Sequence, residues 1–351
     1  MRPSPARCAS ASSARCSPAP PTRTTGGSRT TFGTTPTRSP RAAWPTCSPG
    51  SPTPSPPATP EPGAGRVAFP SFPRGLTAPL LTPFGDDGGV SHGRYVEHAQ
   101  RLLDEGCVAL VPFGTTGEAL SVGIGERTAA LDALVGGGVD PALLMPGTGL
   151  TNVPDTVHLT RHAVEAGVAA VLVLPPFYLK NPSDQGLVDH LEAVIDGVAD
   201  DRLRIVLYHI PQVAGVGWPA GVAERLRASH PDVVVGIKDS SGDWDNTAAL
   251  FGLDGLVVWP GSEGWLLDGL RAGGPGCISA TANVNAPAIA GVVDLHLAGR
   301  HDEADAALAA AREWRTSLGE PLVPAMKRLL AQRLGDPTWA NVRPPFEAAP
   351  A

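Results

Sequence analysis

Lys238 closes the apolar run VVVGIK (233–238). Such a run reads as a buried strand, and the end of a buried strand is a costly place for an ammonium group. A low-dielectric interior disfavours the charged form of an amine. The neutral amine is a nucleophile. It condenses with a ketone to an iminium, an electron sink for making or breaking the neighbouring bond. That chemistry must move protons at the carbinolamine and enamine stages. A tyrosine can carry them if a second hydroxyl passes them on. Tyr208 in RIVLYH (204–209) and Thr115 in GTTGE (114–118) supply such a pair. Each signal has a plainer reading when taken alone. Lys238 could snorkel outward or pair with Asp239 or Glu118, Tyr208 could be a core tyrosine, and Thr115 a turn residue.

The elements that must position these groups repeat. Apolar runs occur at 76–81, 108–113, 142–147, 169–174, 204–209, 233–238, 256–261 and 276–280. Helix-length stretches follow them at 91–106, 123–138, 151–167, 183–200, 219–230, 242–252, 262–274 and 285–300. Ser91 can cap the first stretch and Gly106 stop it, while Pro154 suits the first turn of the third. Continuous apolar runs are what fully buried parallel strands show. Eight strand–helix repeats predict an α/β fold of the (β/α)8 TIM-barrel type. An open doubly wound sheet is the alternative, but the first run leads into TPFGDDGG, which is not the Gly-rich phosphate loop of that fold. Stretches 301–319 and 320–335 read as two further helices. The expected organisation is a tail over 1–75, the barrel over 76–298 and a C-terminal helical extension over 299–351.

A barrel of this kind builds its site at the C-terminal ends of its strands. Thr115, Thr116, Glu118, Tyr178, Tyr208, Lys238, Gly261, Ser262, Glu263, Ile278 and Ser279 all fall there. Backbone N–H groups in the Gly-flanked GTTGE turn can hold a carboxylate. Hydroxyls and one amine thus share one mouth.

Composition narrows the classes. Residues 1–75 hold 17 of the 38 prolines, nine arginines, one glutamate and no lysine, a formal +8 against −7 for the whole chain. So Pro-, Ser- and Arg-rich a segment cannot bury enough surface to offset its ordering entropy. It is expected to be disordered, or to reflect a start codon placed too early. The remainder is acidic, which disfavours nucleic acid as partner. No apolar run reaches the ~18 residues of a membrane span. Cys107 and Cys277 lack metal-ligand spacing, which fits a reducing cytoplasm without disulfides.

The motifs GTTGE (114–118), PPFY (175–178), YHIP (208–211), GIKDSSGD (236–243) and GCISATANV (276–284) together resemble the dihydrodipicolinate synthase/N-acetylneuraminate lyase family of Schiff-base aldolases. The resemblance covers residues 76–346. It implies that Lys238 forms the iminium with pyruvate or another 2-oxo acid, Tyr208 relays protons, Thr115 hydrogen-bonds that tyrosine and Thr116 holds the carboxylate. It implies that Gly261 and Ile278 line the pocket, and that Tyr178 reaches into a neighbouring subunit's relay in a homodimer or homotetramer. No metal or cofactor is implied. In the synthases an arginine follows the tyrosine by five residues and binds aspartate semialdehyde. Val213 stands there in this chain and cannot pair with a carboxylate. YHIP and Glu263 look more like the lyases of polyhydroxy 2-oxo acids. Glu263 is expected either to accept hydrogen bonds from sugar hydroxyls or to face solvent at a helix start. The expected activity is a cofactor-free carbon–carbon or carbon–oxygen lyase acting on a 2-keto-3-deoxy sugar acid or a related compound. The alternatives are 4-hydroxy-tetrahydrodipicolinate synthase and a ligand-binding barrel that does not turn over.

His158 and His162 lie four apart on an expected outer helix, where a solvated face accounts for them better than a metal. His209 follows Tyr208 on its strand and should point into the helix layer. Trp244, Trp259 and Trp265 read as packing residues near the mouth, with Trp265 also able to line the pocket. Nothing in the pattern of NVRPPF (341–346) decides whether it folds back over the barrel.

Overall fold

A computed structural model of the protein describes residues 72–348. Residues 1–71 of the tail expected over 1–75 lie outside the described residues. The strands are β1 Gly75–Pro79, β2 Cys107–Val111, β3 Val171–Val173, β4 Ile205–His209, β5 Val234–Asp239, β6 Val257–Pro260 and β7 Gly276–Ile278. The helices are α1 His92–Asp104, α2 Ile124–Gly136, α3 Val153–Glu165, α4 Asp184–Val198, the single turn α5 Pro211–Ala214, α6 Ala220–Ser229, α7 Trp244–Phe251, α8 Leu266–Arg271, α9 Ala282–Leu297, α10 His301–Ser317 and α11 Leu322–Leu334. All strand pairs are parallel, in the orders β2-β1-β7 and β3-β4-β5-β6.

The expected third strand (142–147) is an irregular stave. Pro146 offers no N–H to a ladder, and residues 141–143 form a 3-10 turn. Single parallel bridges, Leu110 to Leu144 and Gly147 to Leu172, join it to β2 and β3. The N–H groups of Met145 and Gly147 donate to Leu110 (2.9 Å) and Pro112 (2.8 Å), and that of Thr148 to Leu172 (3.0 Å). The stave therefore links the two sheets. At Gly147 a Cβ would lie 2.2 Å from the Phe113 carbonyl oxygen, so only glycine allows this approach.

Both faces of the strands are buried, as continuous apolar runs require. Along β4, Val206 and Tyr208 join an interior cluster with Val111, Leu172, Val235 and Ile278. Ile205 and Leu207 join the larger layer between strands and helices. His209 also points outward, where its Nδ1 accepts from the Trp218 N–H at 3.0 Å. Trp259 is not at the mouth. Its ring is buried inside the barrel and meets Phe72, from before β1, edge-on at 4.9 Å.

α10 and α11 leave the barrel and return. Val323, Met326 and Leu330 of α11 form a satellite core with Leu81, Val284 and Trp339. Beyond α11 the NVRPPF segment does fold back. The Arg343 guanidinium pairs with Glu126 of α2 and donates to the Ser121 carbonyl at 2.7 Å.

Candidate active site

Tyr208 and Lys238 are register partners across β4 and β5. Strand alternation turns both side chains inward. Lys238 is 3% exposed, so it does not snorkel. Its Nζ lies 4.2 Å from the centre of the Tyr208 ring. Tyr208 Oη and Thr115 Oγ1 share a hydrogen bond of 3.2 Å.

The plainer partners of Lys238 are engaged elsewhere. Asp239 accepts from the Ser241 N–H (2.8 Å), Asn246 Nδ2 (3.0 Å) and Thr247 Oγ1 (2.6 Å). Glu118 pairs with Lys327 of α11, both fully buried. Among the described residues Lys238 makes no ion pair. An amine facing a cavity with no carboxylate to hold it is placed to attack a carbonyl.

The GTTGE turn follows β2 and is tightly held. Phe113 (φ 59°) and Glu118 (φ 52°) bracket it in the left-handed region, a strained backbone that persists only where the surroundings dictate it. Those surroundings are identifiable. Thr82 Oγ1 donates to the Gly117 carbonyl at 2.7 Å, and the Arg343 N–H donates to Glu118 Oε2 at 3.0 Å. Lys327 Nζ also donates to the Asn341 carbonyl at 2.8 Å and lies 4.2 Å from the Phe84 ring centre. Burial pushes the Lys327 ammonium down to about 8, against the opposing pull of Glu118. The backbone N–H groups of Thr115 and Thr116 have no acceptor among the described residues. They are free to hold an anion beside the amine.

A cavity of about 370 Å³ brings together Lys238, Tyr208, Thr115, Thr116, Gly261 and Ile278. Of the residues expected at the mouth, Glu118, Tyr178, Glu263 and Ser279 are not in it. Glu263 is 1% exposed and neither lines the cavity nor faces solvent. Its carboxylate accepts from Ser279, Thr281 and Arg315, because the 3-10 turn after β6 aims it between the barrel and α10. Tyr178 is 77% exposed and outside the cavity within one chain.

Sequence reasoning missed Gln212, Ser240 and Arg315, and gave Ser262 no role; all four line the cavity. Gln212 and Ser240 follow strand ends, so the barrel rule could have found them. No local signal marks Arg315, which α10 delivers from outside the barrel. Trp265 does line the cavity, stacked on Trp244 at 5.3 Å. A second, largely apolar cavity of about 340 Å³ lies on the other side of the Thr115–Tyr208 pair, walled by Phe177, Val213 and Phe346. His162 pairs with Asp132 at 2.9 Å. Among the described residues no three His, Cys, Asp or Glu side chains gather to hold a metal, and no helix is long and apolar enough to cross a membrane.

Residues 72–349 match the model of the dihydrodipicolinate synthetase family. An uncharacterized DapA-like lyase of Chloroflexus aurantiacus is 34% identical over 78% of this chain and 88% of its own length. A 4-hydroxy-tetrahydrodipicolinate synthase of Haloarcula marismortui is 32% identical over 66% of this chain and 74% of its own. The crystal structure of dihydrodipicolinate synthase from Agrobacterium tumefaciens is similar with a TM-score of 0.65 at 33% identity, covering 79% of this chain and 94% of that one. That of YagE, an E. coli K12 prophage protein in complex with pyruvate, gives 0.71 at 25% identity, covering 78% and 92%.

Proposed function

The chain belongs to the dihydrodipicolinate synthetase family, whose members are class I pyruvate-dependent lyases, and from that premise we propose that Lys238 is its Schiff-base lysine and a 2-keto-3-deoxy sugar acid or a related 2-oxo acid its substrate. The observation that carries the reading is the buried Lys238 amine, without an ion pair among the described residues, beside the Tyr208–Thr115 hydrogen bond.

The steps balance without a cofactor. The substrate carboxylate binds the N–H groups of Thr115 and Thr116 and the Thr116 hydroxyl. Lys238 Nζ adds to the C2 carbonyl carbon. Tyr208 delivers the proton that lets the carbinolamine oxygen leave as water and is left as a phenolate hydrogen-bonded by Thr115. The iminium then draws electrons from the C3–C4 bond as the C4 hydroxyl gives its proton to the Tyr208 phenolate, releasing an aldehyde and leaving an enamine. Tyr208 returns that proton to C3, and addition of water to the iminium, with its extra proton going back to Tyr208, returns pyruvate and the free amine. Loss of a C3 proton followed by departure of the C4 hydroxyl as water is the dehydratase variant of the same site. Gln212, Ser240 and Ser262 offer neutral hydrogen-bonding groups to hydroxyls beyond the keto carbon.

Tyr178 suggests a second copy of the chain. Tyr178, Leu179, Leu120 and Val213 are 77%, 71%, 67% and 63% exposed, and Leu120 and Val213 line the apolar cavity behind the Thr115–Tyr208 pair. Large apolar side chains grouped at a surface mark an association site. We propose that two copies meet there, each offering Tyr178 towards the other's relay.

The test is reductive trapping. Incubation with pyruvate and borohydride is expected to add one reduced adduct, mapped by peptide mass to Lys238 and lost in Lys238→Ala. No adduct with pyruvate or any of a panel of 2-oxo acids would overturn the assignment. Light scattering of the wild type and of Tyr178→Asp tests the assembly, and a monomeric wild type would remove that part.

A further inference from the structure

Resting on the Schiff-base reading above, we propose that Arg315 binds a second anionic group, so that the preferred ligand is a 2-oxo acid with another carboxylate at its far end. Arg315 reaches the Lys238 cavity from α10, outside the barrel. Its Nη1 donates to Glu263 Oε2 at 3.1 Å. Glu263 is held in turn by the hydroxyls of Ser279 and Thr281 and is 1% exposed. The carboxylate therefore acts from behind as a fixed anchor for the guanidinium.

A guanidinium carries five N–H donors in a planar fork suited to carboxylates. Beyond the bond to Glu263, the Arg315 side chain has no hydrogen-bond partner among the described residues. It is 32% exposed and borders the cavity, so free donors remain for a ligand. A role as counter-ion to Glu263 accounts for only one of them.

The other groups around the cavity leave this role to Arg315. Lys238 is consumed as the nucleophile, and Asp239, the acidic side chain of the lining, is engaged by Ser241, Asn246 and Thr247. Gln212, Ser240 and Ser262 are neutral. Among the described residues of the lining, Arg315 therefore offers the cationic N–H donors that suit a second carboxylate. One anion goes to the free N–H groups of Thr115 and Thr116, and the other to Arg315.

Two five-carbon acids that differ only at the far end test this. Calorimetry would give dissociation constants for 2-oxoglutarate and 2-oxopentanoate with wild type, Arg315→Met and Arg315→Lys. Wild type is expected to favour the diacid by roughly 10- to 100-fold, the span of one charge-assisted pair. Arg315→Met is expected to bring that ratio close to one and Arg315→Lys to leave it in between. Using the ratio within each variant removes any general loss of folded protein. A ratio near one in wild type, or one unchanged in Arg315→Met, overturns the proposal. Pyruvate trapping in parallel keeps the two readings apart. An adduct without diacid preference sinks only the Arg315 assignment, whereas Arg315-dependent preference without an adduct sinks only the Schiff-base reading.

Discussion

Lys327→Met is the sharpest test of how the C-terminal extension supports the site. The substitution keeps most of the side-chain volume and removes the ammonium that faces Glu118. Both side chains are 0% exposed, so the variant leaves a buried carboxylate without its cation. Breaking a buried pair from one side costs about 3–5 kcal/mol. Unfolding entropy is about 2 cal/mol/K per residue, or about 0.6 kcal/mol/K for a body of roughly 280 residues. The melting temperature should then fall by about 5–8 °C. Removing the charge on both sides should recover most of this, because the cost lies in the unpaired carboxylate and not in lost packing. In the double variant Lys327→Met/Glu118→Gln, the side-chain carbonyl can still accept from the Arg343 N–H, now at 3.0 Å from Glu118 Oε2. Circular dichroism melts of wild type, both singles and the double variant make a complete cycle. The expected coupling is at least about 2 kcal/mol. A Lys327→Met melt within about 2 °C of wild type, or a double variant no more stable than that single, would refute the reasoning. Because Glu118 closes the turn that carries Thr115 and Thr116, Lys327→Met should also trap pyruvate more slowly.

Three further outcomes are expected. Tyr208→Phe should slow exchange of the C3 hydrogens of pyruvate, followed by proton NMR in deuterium oxide, by roughly 10²–10⁴-fold, and Thr115→Val should slow it less; exchange at the wild-type rate in Tyr208→Phe would remove the relay. Burial, with Arg101 beside it, holds the His98 imidazole down at about 3, so between pH 6.5 and 3 the unfolded chain takes a proton that the folded one refuses. Stability from this residue is thus present above about pH 6.5 and lost as pH falls towards 3, with a slope of at most about 1.4 kcal/mol per pH unit. Urea unfolding across pH 4–7 should show this slope in wild type and a flatter one in His98→Gln, and equal slopes would contradict it. At Gly261 a Cβ would lie 1.9 Å from Ser240 Oγ and 2.9 Å from the Asp239 carbonyl. Rotating the serine frees its Oγ but neither its Cβ, 2.7 Å away, nor the carbonyl, so Gly261→Ala should raise the pyruvate concentration for half-maximal trapping roughly tenfold, and an unchanged value would show that β5 and β6 can part.

Much of the site was legible because the barrel rule converts order along the chain into position in space. Apolar runs mark the strands, and the residue ending each run stands at the mouth. Lys238, Tyr208, Thr115, Thr116, Gly261 and Ile278 were placed this way, and they do share one cavity. The motif resemblance carried the roles. The same rule misdirected Glu263, because it gives the end of a strand and not the direction of the side chain. A 3-10 turn over Glu263–Trp265 buries that carboxylate instead. The third stave was legible as an apolar run but not as a broken ladder, since only its neighbours decide how Pro146 and Gly147 are accommodated.

The sequence by itself determined the alternation of strands and helices, the family and the set of residues around the amine, because these depend on local pattern and short motifs. Only the tertiary structure decided which charges meet. Lys327 lies 209 positions from Glu118, Arg343 lies 225 and Arg315 lies 52 from Glu263. No periodicity links residues so far apart, and a charged side chain on a helix looks the same in sequence whether it faces water or a cavity. The return of α10, α11 and the segment after them across the barrel settles that, and so assigns Glu118 and Glu263 to internal partners and leaves Lys238 without an ion pair among the described residues.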